Sequence, residues 1–175
     1  MSTLSVDTIQ GQTTAAKVKM PSGHIIQTVT TSFTNTTNTT STSFTDITGG
    51  SLAITPFFST SKILVQLQYS VGFADSNTNY AYGAIQVLRG STDITTNIPT
   101  DGTGSFEFGG NAGGASAVEF YQRYSNVIID SPSTTSSTTY TTKIKAYGAG
   151  GGSVYVNPGS SNVGKSHLIL MELAQ

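Results

Sequence analysis

One stretch has the spacing of a known chemistry: Gly159-Ser160-Ser161-Asn162-Val163-Gly164-Lys165-Ser166 fits G-x-x-x-x-G-K-[ST]. In a phosphate-binding loop the glycines let backbone N–H groups wrap a phosphate, the lysine reaches its terminal oxygens and the serine holds magnesium. That chemistry needs a strand before the loop and a helix after it. Here the following residues, SHLILMELAQ, read as a strand, and no hydrophobic strand ending in Asp follows to supply a second metal ligand. The stretch is therefore read as a hairpin loop between Val156 and Leu168, and no nucleotide or other cofactor is expected. His24 and His167 are the only histidines and there is no cysteine, so a metal site would need both plus carboxylates from distant strands. Asp75, Asp93, Asp101, Glu107, Glu119, Asp130 and Glu172 are dispersed, and no spacing singles out a pair for glycosidase-type chemistry.

The loop aromatics are the stronger candidates. Tyr80 and Tyr82 follow the polar run Asp75–Asn79, and Phe106 and Phe108 precede the Gly-rich run 109–116. Rings that stack on a sugar's apolar face, beside polar groups for its hydroxyls, are what saccharide binding uses. Asp75, Asn77, Asn79, Tyr80, Tyr82, Phe106 and Phe108 are thus candidate receptor or saccharide contacts. The competing expectation is that the rings fill the core or a subunit contact.

These residues must be positioned by strands. From Lys62 to Phe73 the apolar residues Ile63, Val65, Leu67, Tyr69, Val71 and Phe73 recur at every second position. That is the period of a strand with one buried face. The apolar side should be covered by an opposing sheet that includes Tyr140–Ala146 or Leu168–Leu170. The other side carries Leu64, Gln66, Gln68 and Ser70, uncharged and suited to a neighbouring subunit. Residues 80–89 are expected to return as its hairpin partner. Phe44–Ile47 and Ser51–Thr55 read as two strands about a Gly49-Gly50 turn, and 118–123 and 126–131 as two more. The run 34–43 reads as a surface loop or polar edge strand. Residues 138–147 alternate cleanly, with Tyr140, Thr142, Ile144 and Ala146 on one face, and 166–173 is apolar on both. About ten short strands with turn signals between them indicate an all-β antiparallel sandwich of jelly-roll type.

Composition agrees. Only 10% of residues are charged, the net charge is -1, and Thr, Ser, Asn and Gly supply the polarity. The eight basic residues are scattered among acids, so no nucleic-acid partner is expected. No apolar run reaches the roughly 20 residues that span a bilayer, and none has the form of a secretory signal, so neither membrane insertion nor processing is expected. Residues 1–23 differ from the rest. Leu4, Val6, Ile9, Val18 and Met20 lie on short extended pieces that cannot fold alone, and Pro21-Ser22-Gly23 ends them. This segment is read as an arm that docks onto another subunit or protein, ahead of a sandwich domain over 24–175.

The ordered set Thr3–Ile9, Pro21–Gln27, Ser41–Gly50, Leu52–Pro56 spaced to Ser61–Val65, Ile128–Pro132, Val154–Asn157 and Leu170–Leu173 resembles a family. It is similar to the small jelly-roll virion proteins of tailed bacteriophages, especially those of marine cyanobacteria. The resemblance implies a non-enzymatic structural protein, a homotrimer made in the bacterial host cytoplasm and built into the virion. It would be a tail-fibre or receptor-binding knob held to other virion proteins by its arm. A shaft usually precedes such knobs, whereas 23 residues precede this domain; a capsid decoration or head-fibre protein is the alternative. From another class, a carbohydrate-active enzyme or lectin-like module is the remaining reading.

Overall fold

A computed structural model describes residues 8–11, 18, 20–75, 80–95, 106–111, 118–147, 152–158 and 165–175. Its elements are β1 (Ile25–Phe33), β2 (Thr37–Thr39), β3 (Thr45–Ile54), β4 (Lys62–Asp75), β5 (Tyr80–Arg89), β6 (Thr92–Asp93), β7 (Phe106–Asn111), β8 (Val118–Asp130), β9 (Thr138–Ala146), β10 (Ser153–Val156) and β11 (Ser166–Leu173). They form two antiparallel sheets of six and five strands that pack face to face, an all-β sandwich.

β4 organises the first sheet. One of its edges pairs with β8 from Ile63↔Asp130 to Asp75↔Val118 without a register shift. The other edge is shared: β11 takes Lys62–Gln68 and β10 takes Val71–Ala74. β1 lies outside β11, and β2 outside β10. In the second sheet β9 runs between β3 and β5, and the far edge of β5 is divided between β7 and β6. The pairs β1·β11, β3·β9, β4·β8 and β5·β7 are nested, first element with last, as in one long hairpin rolled into two layers.

The alternation of β4 places its side chains as the sequence indicates. Ile63, Val65, Leu67, Tyr69 and Val71 are fully buried, while Leu64 and Gln66 are half-buried and Gln68 is exposed. Tyr140, Ile144, Ile85 and Val87 of the second sheet meet the buried row. Each such aliphatic side chain contributes about 1.5–3 kcal/mol on leaving water. Leu168 and Leu170 lie beside β4 in the same sheet and not across from it.

Five local expectations are corrected. β5 is not the hairpin partner of β4: both edges of β4 are occupied, so the chain crosses to the facing sheet. Residues 118–130 are one strand, because Tyr124 and Ser125 keep the register with Tyr69 and Gln68. Gly49-Gly50 is no turn but part of an irregularity inside β3, where pairing to β9 shifts between Asp46 and Ser51. Gly49 has φ +83°, and a Cβ there would come within 2.8 Å of Phe33, so glycine is needed for the bulge. Finally, β10 and β11 follow one another along β4 and do not form a hairpin. β11 is buried on one face only, since Ile169, Met171 and Leu173 remain half-exposed on the outside.

Where β10 gives way to β11, a side-chain node replaces ladder bonds. Ser70 N donates to Ser166 Oγ at 3.0 Å and Asn157 N donates to Ser70 O at 2.8 Å. Ser166 Oγ donates to Asn157 Oδ1 at 2.6 Å, and Asn157 Nδ2 reaches Phe33 O at 3.1 Å and Asn35 O at 3.3 Å. Asn157 has φ +51°, a left-handed conformation that Asn tolerates better than most side chains.

Candidate functional site

The aromatic candidates separate. Phe106 and Phe108 sit on the inner face of β7 at 3% and 5% exposure, with ring centroids 6.1 and 6.0 Å from that of Tyr124. Rings between two sheets cannot stack on a ligand from solvent, so both belong to the core and not to a saccharide site. Three residues of alternation could not tell the buried side from the open one. Tyr82, 42% exposed, is on the outer face of the second sheet. Asp75 closes β4 and Tyr80 opens β5, but their side chains are outside the described residues, as are Asn77 and Asn79 altogether.

A patch surrounds Tyr82 that spacing alone did not reveal. Tyr147 N donates to Tyr82 O at 2.9 Å, which extends the β5–β9 pairing one step past Ala146. The Tyr147 hydroxyl donates to Glu107 Oε1 at 2.5 Å. Lys145 Nζ stands 4.7 Å from the centroid of the Tyr147 ring and 4.8 Å from that of Phe44. Glu107 and Lys145 flank Ala84 on opposite edges of β5, so one row across the sheet holds carboxylate, methyl and ammonium. The ammonium attracts both ring faces, at about 0.5–1 kcal/mol each at a surface site. An exposed ring beside an anchored ammonium and a carboxylate can stack on a sugar and bond its hydroxyls. Outward placement of Lys145 and Tyr147 is written in the alternation of 138–147. Their meeting with Phe44 and Glu107 is not, because it joins separate strands.

The other carboxylates are tied into the fold. Asp130, 3% exposed, accepts from Arg89 Nη1 at 2.8 and 2.9 Å and from the Tyr140 hydroxyl at 2.8 Å, which locks the two sheets together. Fully buried Glu172 accepts from Gln27 Nε2 at 2.6 Å and from the backbone N–H groups of Phe57 and Phe58 at 2.9 and 3.2 Å. Asp93 accepts from Gln86 Nε2 and Thr95 N, and Asp46 faces Lys143 Nζ at 3.1 Å. Buried tyrosines bridge the sheets as well. Thr142 Oγ1 donates to Gly50 O at 2.9 Å, so the Tyr69 hydroxyl donates to Thr142 Oγ1 at 2.8 Å. Burial pushes the Tyr124 phenol up to about 12, opposed by its hydrogen bond from Asn126 and reinforced by the charge of Glu107. Burial drives Tyr69 and Tyr140 higher still; Asp130 adds to the shift at Tyr140.

The phosphate-loop match has no support where it can be read. Ser166 opens a strand instead of a helix, and its buried hydroxyl is committed to Asn157 and Ser70; residues 159–164 lie outside the described residues. Among the described residues no group of three or more His, Cys, Asp or Glu side chains could hold a metal ion. Of the arm residues, Leu4 and Val6 lie outside the described residues, Ile9 is 67% exposed and Val18 is half-buried. Met20, 37% exposed, lines a cavity of about 400 Å³ with Phe58, Thr60, Ser61, Ala174 and Gln175. The arm joins the sandwich where Gly23 N donates to Ala174 O and Ala174 N to His24 O, at 2.9 and 2.8 Å. Neither a family model nor a curated protein matches the chain.

Proposed function

We propose that the chain is a non-enzymatic structural protein of a tailed-phage virion. In this reading it is a trimeric jelly-roll knob, the tail-fibre or receptor-binding component, attached through its N-terminal arm. The observation that carries the proposal is the outer face of the first sheet. The row Met171–Leu64–Ile129 and the row Ile169–Gln66–Val127 lie side by side across β11, β4 and β8, with Leu173 beside Lys62. Val127 and Ile129 are 41% and 44% exposed. A contiguous apolar, nearly uncharged sheet face of this kind suits contact with further copies of the same chain.

Other features support the reading. Within the six- and five-stranded sheets, the strand orders β1-β11-β4-β8 and β3-β9-β5-β7, with nested pairing, fit a jelly-roll winding. The described carboxylates of the core hold turns and sheets together, a structural use. Tyr82 puts an exposed ring on the outer face of the second sheet, where this reading places a saccharide contact. Antibody against the purified chain, applied to intact particles and viewed with gold label, tests the assignment. Label on tail tips is the expected result, label over the head would transfer the protein to the capsid-decoration reading, and unlabelled particles would refute a virion role.

A further inference from the structure

We propose that the far end of the first sheet's outer face, beyond the apolar rows, binds the carboxylate of an acidic saccharide. There His167, Gln68 and Ser125 stand in one row across β11, β4 and β8. Arg123 lies two residues further along β8, facing Ser70, and Lys165 immediately precedes β11. With Tyr69 and Tyr124, whose rings turn inward from β4 and β8, these residues line a cleft of about 520 Å³, within the range of small-molecule sites. Arg123 Nη1 donates to Lys165 O at 3.2 Å, which ties the two lining residues together and leaves the other guanidinium N–H groups to a ligand. The Lys165 backbone is steadied from the next residue, since the Ser166 hydroxyl is held between Asn157 and Ser70.

The charge balance makes the cleft distinctive. Among the other described cations, Arg89 has Asp130, Lys143 has Asp46 and Lys145 has two rings, while Lys62 stands singly beside Leu173 at the apolar end of the face. In this cleft Arg123 and Lys165, 42 residues apart in sequence, lie together, and no carboxylate lines it among the described residues. Two cations without a counter-charge select an anion, and a guanidinium fork fits a carboxylate in particular. Gln68, Ser125 and His167 beside them are hydrogen-bonding groups of the kind that meet sugar hydroxyls. A uronic-acid unit, with its carboxylate and ring of hydroxyls, satisfies both sets.

The inference deepens the receptor-binding part of the proposed function and rests on it for biological meaning, although the cleft lies within a single chain. Isothermal calorimetry of the full chain with trigalacturonate, a neutral galactose trisaccharide and sodium sulfate tests it. Saturable binding of the acidic trisaccharide is expected, weakened by added salt and reduced at least about tenfold in the Arg123→Gln/Lys165→Gln double variant. Both positions are at the surface, so the variant should melt with the parent. The neutral trisaccharide and sulfate should bind far more weakly. Equal binding of the neutral sugar would overturn the role of the cations, and equally tight sulfate binding would reduce the cleft to a bare anion site. No binding of the acidic sugar would refute the proposal. Sedimentation of the same samples reads the trimer separately, so failure of one claim is not mistaken for failure of the other.

Discussion

Tyr69, Tyr124 and Tyr140 carry hydroxyls into the space between the sheets, and each is satisfied there by a particular neighbour. Their phenols titrate above the ordinary value of 10 because burial disfavours the anion. Unfolded tyrosines lose their protons near pH 10, whereas the folded ones keep theirs. Stability from these groups is therefore fully present below about pH 10 and lost as pH rises beyond it, with each raised phenol contributing a slope of up to about 1.4 kcal/mol per pH unit. Tyrosinate absorbance followed with circular dichroism should show a late class of tyrosines ionising together with loss of the fold. Ionisation of every tyrosine near pH 10 with the fold intact would contradict this account. Nothing in the sequence marked these residues as partners. Tyr140 and Asp130 are near in sequence but in different sheets, and Tyr69 finds Thr142 only through the sandwich.

At the scale of elements, β4 was legible because its alternation never slips and its inner residues are all large. The same logic placed Tyr140, Thr142, Ile144 and Ala146 inside on β9. It failed where local pattern competes with partner choice. Neighbours in sequence suggest a hairpin, but the partner of β4 is decided by which edges remain free, a property of the whole sheet. Polar Tyr124-Ser125 looked like a break because an edge strand tolerates polar residues that a central one does not. The division of the β4 edge between β10 and β11 was equally hidden, since it depends on the Asn157 node. Replacing Asn157 by Ala removes the side-chain bonds to Phe33 O, Asn35 O and Ser166 Oγ and strains a left-handed residue. Urea unfolding of Asn157→Ala should show a loss of about 3 kcal/mol. Asn157→Asp, which keeps the acceptor but loses both N–H donors, should also be destabilised. An Ala variant within about 0.5 kcal/mol of the parent, the spread of ordinary surface substitutions, would dismiss the node.

At the scale of the molecule, the two outer faces differ in kind. The second sheet carries charge and aromatic rings outward, around Tyr82, Tyr147, Lys145 and Glu107. The first carries Leu64, Val127, Ile129, Ile169, Met171 and Leu173 at one end and the basic cleft at the other. That Leu64, Gln66, Gln68 and Ser70 would share the outer side of β4 was readable from the sequence. That β11 and β8 would extend the apolar end of that side into a broad patch was not, because both flank β4 only after folding. Leu64→Arg places a charge at the centre of the patch while leaving the buried row untouched. It should fold with near-parental stability yet fail to assemble.

Sedimentation equilibrium of the full chain and of Leu64→Arg over a range of concentrations tests the trimeric knob most directly. The account predicts a parent species of three times the 18.2 kDa chain mass and a folded, monomeric variant. A monomeric parent, or a Leu64→Arg protein that still forms the full trimer, would contradict it.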